Sequence, residues 1–186
     1  MKIATWNVNS IRVRLPQVLA WLKTENPDVL CLQETKITDE EFPAAELRDA
    51  GYHAAYAGQK TYNGVATLSR MPAADMVGTL PGASGDQKRL LAATVNGVRV
   101  INVYVPNGES VESEKYSYKL SWLGALEKFI AQELKIHPRV ALLGDYNIAP
   151  DDRDVHDPKA WAGQILCSEA ERSAFQRLLG LGLSDS

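Results

Sequence analysis

Cysteine is scarce in this chain, and the two present, Cys31 and Cys167, lie far apart. There is no C-x-x-C pair, and none of the three histidines stands at zinc-ligand spacing, which argues against a thiolate metal site. Both thiols are expected to be reduced, with Cys31 in the core of a strand. Long hydrophobic runs are lacking too. Nothing behind Met1 and Lys2 is apolar enough for a signal peptide, and no segment approaches a membrane span, so a soluble, cytoplasmic protein is expected. Positive charge is not in excess: 20 Lys and Arg face 23 Asp and Glu, a formal net charge of -3. No global pull toward nucleic acid exists, and any polyanion site must be a local basic patch inside an acidic shell. Repeats, low-complexity segments and linker-like runs are also missing.

What remains is an ordinary globular composition, 45% hydrophobic and 23% charged, in 186 residues. That is the size of one domain, or of most of a larger one. Ile3 to Val8 reads as a strand. Leu15, Val18, Leu19 and Leu22 then fall at i, i+3, i+4 and i+7, a helix with one apolar face and Pro16 in its first turn. "PDVLCLQET" is a second buried strand, and Pro43 to Ala50 a short helix stopped by Gly51. Strands are expected at Tyr52 to Ala57 and Val65 to Ser69. "LLAATVNGVRVINVY" predicts a hairpin, because Asn96-Gly97 between two β-rich runs suits a type I′ turn. Leu123, Leu126, Ile130 and Leu134 mark a long helix. In "RVALLGDYNIAP" the residues Val140 to Leu143 read as a strand buried on both faces and broken by Gly144. "SEAERSAFQRLLGLGL" opens on a capping box, Ser168 with Glu171, and places Phe175, Leu178 and Leu179 on one face. The expectation is a single mixed α/β domain over residues 1–186.

Several of these apolar runs end on a carboxylate, an amide or a phenol: Asn7, Glu34, Tyr104, and Asp145 with Asn147. If the backbone stays extended, a period of two points Asp145 and Asn147 the same way. In open α/β sheets the carboxyl ends of strands surround the ligand crevice. Two carboxylates and two amides are hard oxygen ligands that suit Mg²⁺ or Mn²⁺ better than zinc. No G-x-S-x-G, G-x-x-x-x-G-K-[ST] or H-E-x-x-H motif competes with them. A divalent metal, a carboxylate able to take a proton from water, an oxyanion-binding amide and a phenol together fit phosphodiester hydrolysis. Each residue has a plainer alternative: Asn7 or Asn147 capping a turn, Glu34 on the surface, Tyr104 in the core.

"KIATWNVNSIR", "PDVLCLQETK", "GYHAAYAGQKTYNGVATLS", "KRLLAATVNGVRVINVYVPNGE" and "LLGDYNIAP", spaced in that order, closely resemble the exonuclease III branch of abasic-site endonucleases. That branch belongs to the endonuclease/exonuclease/phosphatase superfamily, and the resemblance runs from Met1 to Ser186. It implies a four-layered α/β sandwich of two facing sheets and an Mg²⁺-dependent (or Mn²⁺-dependent) DNA repair nuclease. The implied substrate is duplex DNA with abasic sites or 3′ blocks. By position, Glu34 matches the metal-binding glutamate and Asn7 the asparagine supporting the metal and its water. Tyr104 matches the tyrosine that contacts the scissile phosphate. Asp145 matches the aspartate that activates or orients water or protonates the leaving group; Asn147 matches the residue that holds the phosphate. Lys60, Tyr62 and Asn63 fall in a loop like the family's DNA-contacting loop, and Arg89 resembles an arginine that reaches into the duplex. The alternative for these four is plain surface chemistry.

The family pattern continues beyond "GLSDS" with a tryptophan of the abasic-sugar pocket, a second aspartate and a closing Ser-Asp-His. None of His53, His137 and His156 occupies that last position. The resemblance therefore implies a fold incomplete at the C-terminus, with an open edge, a tendency to associate, and reduced or no activity. Two rival functions stay open, a non-catalytic DNA-binding fragment and a phosphatase on small substrates.

Overall fold

Two runs of strands make two separate four-stranded sheets. In the computed structural model, which describes residues 1–185, the first sheet contains β1 (Ile3–Asn7), β2 (Val29–Gln33), β3 (His53–Ala57) and β4 (Val65–Ser69). Their order is β1-β2-β4-β3, and only β1 and β2 run parallel. The second sheet contains β5 (Ala74–Val77), β6 (Leu90–Val95), β7 (Val98–Tyr104) and β8 (Val140–Asp145), ordered β5-β6-β7-β8 with β7 and β8 parallel. Both sheets belong to one compact unit, made of Met1–Leu80, Gly85–Tyr104 and His137–Asp145.

Side-chain alternation along β2 explains how this unit packs. All five of its residues are buried. Leu30 and Leu32 join Val18 and Leu22 of α1 (Ile11–Glu25) and Leu47 of α2 (Ala44–Asp49) on one face. Val29 and Cys31 face the other way, against Val95 and Val100 of the second sheet. Each such fully buried aliphatic side chain stabilises the fold by roughly 1.5–3 kcal/mol relative to exposure. The 6–7 hairpin turns as its sequence predicts, with positive φ at both Asn96 (49°) and Gly97 (73°).

The second unit is described by itself. It contains α3 (Glu114–Ile136), a 3₁₀ turn at Asp152–Asp154, α4 (Pro158–Trp161) and α5 (Glu169–Gly180). The Ser168–Glu171 capping box opens α5 as expected. Tyr146 meets Phe175 edge to face at 5.5 Å, and Arg177 reaches Glu127 of α3 at 2.9 Å. Among the described residues no helix is long and apolar enough to cross a membrane.

The structure corrects three sequence expectations and adds one strand that the sequence did not announce. All six residues of β8 are partly exposed, not buried on both faces, because β8 stands at the end of its sheet's order. Gly144 does not break that strand; it lies within it at φ 145°. A Cβ there would sit 2.0 Å from the Val103 carbonyl oxygen, so glycine is what lets β8 continue to Asp145. Pro16 lies beyond the first turn, since α1 starts at Ile11; the N–H it lacks would have served the carbonyl of Arg12, an exposed residue. The short β5, with its irregular register and mostly exposed residues, carries no alternating pattern to betray it.

Candidate active site

Parallel pairing puts strand ends side by side, and each sheet has one parallel pair. In the first, Asn7 closes β1 opposite Gln33, the last residue of β2, so Glu34 follows at the same end. In the second, Tyr104 and Asp145 are register partners at the ends of β7 and β8.

The two pairs meet through one amide. Asn7 Nδ2 donates to Glu34 Oε1 and to Asp145 Oδ2, both at 2.8 Å, which brings the two carboxylates within two hydrogen-bond lengths of each other. Asn7 Oδ1 accepts from the Asn9 N–H at 3.1 Å, which fixes the orientation of the amide. The Tyr104 phenol lies close enough to Glu34 for each to shift the other's ionisation, and Lys36 Nζ lies 2.8 Å from Glu34 Oε2. Arg89 spreads its guanidinium 4.6 Å over the Tyr104 ring and donates from Nη1 to the Tyr104 carbonyl at 3.3 Å.

These neighbours set the ionisation of the site. Burial raises the Glu34 carboxyl, but hydrogen bonds from Asn7, Lys36 and Tyr104, with the Lys36 charge, outweigh it and leave the pKa below the ordinary value. Tyr104 is pushed up to about 12, first by burial and then by the charge and hydrogen bond of Glu34, against the opposing Arg89. The phenol is therefore a neutral donor at neutral pH, beside an ionised carboxylate.

The turn carrying Glu34 is held from two sides. Glu34 and Lys36 have left-handed φ values of 54° and 53°, a conformation that costs about 1–2 kcal/mol for residues with a side chain. Ser10 N and Ile11 N donate to the carbonyls of Glu34 and Thr35, while Thr35 N and Lys36 N donate to those of Gly64 and Asn63. Below the turn, Gln33 Nε2 donates to Asn102 Oδ1 of β7 at 2.7 Å. Asn102 Nδ2 returns bonds to the carbonyls of Leu32 and Ala66 at 3.0 and 2.9 Å. Sequence reading missed this cross-sheet amide pair. Its one signal was an asparagine inside the otherwise apolar "VINVY".

The remaining sequence candidates separate. Lys60 and Tyr62 are exposed, Tyr62 to 68%. Asn63 is buried; its Nδ2 donates to Gln59 Oε1 and its carbonyl serves Lys36, so it fastens the loop instead of projecting from it. Arg89 is half-buried against Tyr104. Asn147 lies in the second unit with a left-handed φ of 48°, so the extended backbone assumed for a shared face with Asp145 does not continue that far. Its Nδ2 donates to the Val105 carbonyl at 3.0 Å, and its Oδ1 accepts from Asn107 Nδ2 at 3.3 Å. Lys36, not anticipated, completes the polar neighbourhood of Glu34. Among the described residues no third His, Cys, Asp or Glu makes a metal-holding group with the carboxylate pair. Two hard oxygen donors without nitrogen or sulfur fit an ion such as Mg²⁺, which keeps several of its waters.

A family model for the endonuclease/exonuclease/phosphatase family matches residues 4–182. The chain belongs to this family. It is 36% identical over 191 residues to an exodeoxyribonuclease of Bacillus subtilis, covering 100% of this chain and 74% of the relative. Among solved structures, a 3′ phosphatase from Neisseria bound to a product DNA hairpin superposes with a TM-score of 0.98 at 52% identity, over 100% of this chain and 72% of that one. An AP endonuclease from Archaeoglobus fulgidus gives 0.95 at 42% identity, again over 100% and 72%. The mixed α/β fold with two sheets is thus the AP endonuclease and exonuclease III fold.

Proposed function

We propose that this chain is a metal-dependent phosphodiester hydrolase acting on duplex DNA, of the exonuclease III kind, at abasic sites and at 3′ ends. The observation that carries the reading is the Asn7 amide joined to carboxylates from both sheets, Glu34 and Asp145. Membership of the family and the DNA named for the Neisseria structure support the substrate class.

In this reading Glu34 and Asp145 would hold an Mg²⁺ or Mn²⁺ ion, which would supply neutralisation of phosphate charge and a lowered pKa of bound water. Asn7 fixes the two carboxylates with its N–H groups. Asp145 orients the attacking water or takes its proton, or protonates the leaving group. The neutral Tyr104 phenol donates to the phosphate oxygen where negative charge develops. Asn147 is assigned to the phosphate, and to the ion's surroundings, by the family resemblance. Lys60, Tyr62 and Arg89 contact the DNA backbone, which positions a duplex without reading its sequence; Asn63 serves that loop from within.

The test is cleavage of a duplex carrying a single abasic site, and of one ending in a 3′-phosphate, with Mg²⁺ and with chelator. Product is expected only with the metal. Asp145→Ala should lower the rate by about 10²- to 10⁴-fold, the range for a positioned acid or base. A chain that binds duplex DNA but cleaves neither substrate would be the non-catalytic DNA-binding alternative. Cleavage of small phosphate esters that duplex DNA does not inhibit would instead favour a small-substrate phosphatase.

A further inference from the structure

Lys119 is the one fully buried lysine or arginine side chain among those largest in the core, at 0% exposure. It sits on α3, and its ammonium meets three acceptors within the second unit. These are Glu171 Oε1, the Asn107 carbonyl at 3.0 Å and the Asn147 carbonyl at 2.6 Å. Glu171, also fully buried, is itself saturated with donors: Leu166 N and Ser168 N at 3.1 Å, and Ser168 Oγ at 2.6 Å. Tyr116 Oη closes the chain on Ser168 Oγ at 2.6 Å.

A buried ion pair is weak evidence for stability, because desolvation offsets most of its attraction. An apolar pair would fill the same space, so what needs explaining is what the ammonium does. Its two carbonyl partners belong to the residues whose side chains bond one another, Asn107 Nδ2 to Asn147 Oδ1. We propose that Lys119, whose charge Glu171 balances, is a positioning residue that fixes the side-chain amides of Asn147 and Asn107 for the phosphate. This rests on the role assigned above to Asn147. Lys119 touches only backbone oxygens there and would act on the reaction through those amides. Hydrogen bonds to a charged donor hold the carbonyls more firmly than neutral ones would.

Three forms of the full chain test it: the parent, E171Q, and the double variant K119M/E171Q. E171Q keeps the amine on both carbonyls but removes the countercharge, so it should melt lower than the parent while kcat on abasic-site DNA stays within about threefold. The double variant buries no unpaired charge. It should melt higher than E171Q, yet lose about tenfold to hundredfold in kcat, the range for a misplaced group, with KM little changed. Between the two variants stability and kcat would then rank oppositely, an order a merely structural pair would not give. A kcat that follows melting temperature across the set overturns the proposal. Side-chain amide NMR of Asn107 and Asn147 provides a readout independent of turnover. Distinct, slowly exchanging resonances are expected in the parent and E171Q, and broadened, faster-exchanging ones in the double variant. Unchanged amides in the double variant would also overturn the proposal. If the parent cleaves no DNA, the hydrolase reading fails, and these resonances still decide whether Lys119 fixes the amides.

Discussion

The two parallel ladders present their carboxylates differently. Asp145 is the last residue of its strand, carried there by regular pairing with Tyr104 once Gly144 clears the Val103 carbonyl. Glu34 stands one residue past its strand, on a left-handed turn anchored to loops before α1 and before β4. One acid is thus placed by secondary structure and the other by tertiary hydrogen bonds. Placement by a ladder is cheap and tolerant, whereas placement by a strained turn depends on every segment that holds it. Asn7 couples the two, and Gln33 with Asn102 keeps their sheets in register.

The sharpest way to break this comparison is to reverse the charge logic at Asn7. Asn7→Asp replaces the shared donor by a third carboxylate, and cleavage should fall by at least about 10²-fold; a rate within threefold of the parent would mean that the amide does not organise the pair. Next comes the bond between the sheets. Asn102→Leu removes the side-chain donor to the Leu32 and Ala66 carbonyls and leaves the Gln33 amide with Thr5 Oγ1 as its remaining side-chain partner, which should cost about 1–3 kcal/mol in denaturant unfolding. A loss below about 0.5 kcal/mol would show that the sheets are held by apolar packing alone.

The smallest effect concerns Tyr104. Its folded pKa, about 12, lies above the unfolded value of 10. The stability it contributes is therefore complete below pH 10 and lost as pH rises through 12. Tyr104→Phe should flatten the decline in melting temperature over that window relative to the parent. Parallel curves for the two proteins would show that the folded pKa of Tyr104 is not raised.

How much of this could be read in advance follows the same division. Asp145 and Tyr104 were legible because an apolar run ending in a polar residue marks a strand end, and the Asn96-Gly97 turn fixed one arm of the pairing. Glu34 was legible as a strand end too, but its turn was not: nothing in "QETK" states which loops will hold it. Asn147 was misjudged in backbone, since continued extension was assumed where φ turns positive. Lys119 drew no notice in the sequence, although it precedes Leu123 by four residues and Leu126 by seven and so shares their buried stripe. Periodicity locates a side chain on a face. It does not say that three acceptors will be waiting there.

The stitching of the Glu34 turn has a consequence for local opening. Four amide protons, those of Ser10, Ile11, Thr35 and Lys36, bridge this turn and its two neighbouring loops. The turn therefore cannot fray by itself, as a surface loop does, without also detaching one of those loops. Solvent exchange at the four positions should track the slower, cooperative excursions of the surrounding sheet, making the Glu34 turn one of the most lasting parts of the molecule despite its place at the ends of the strands.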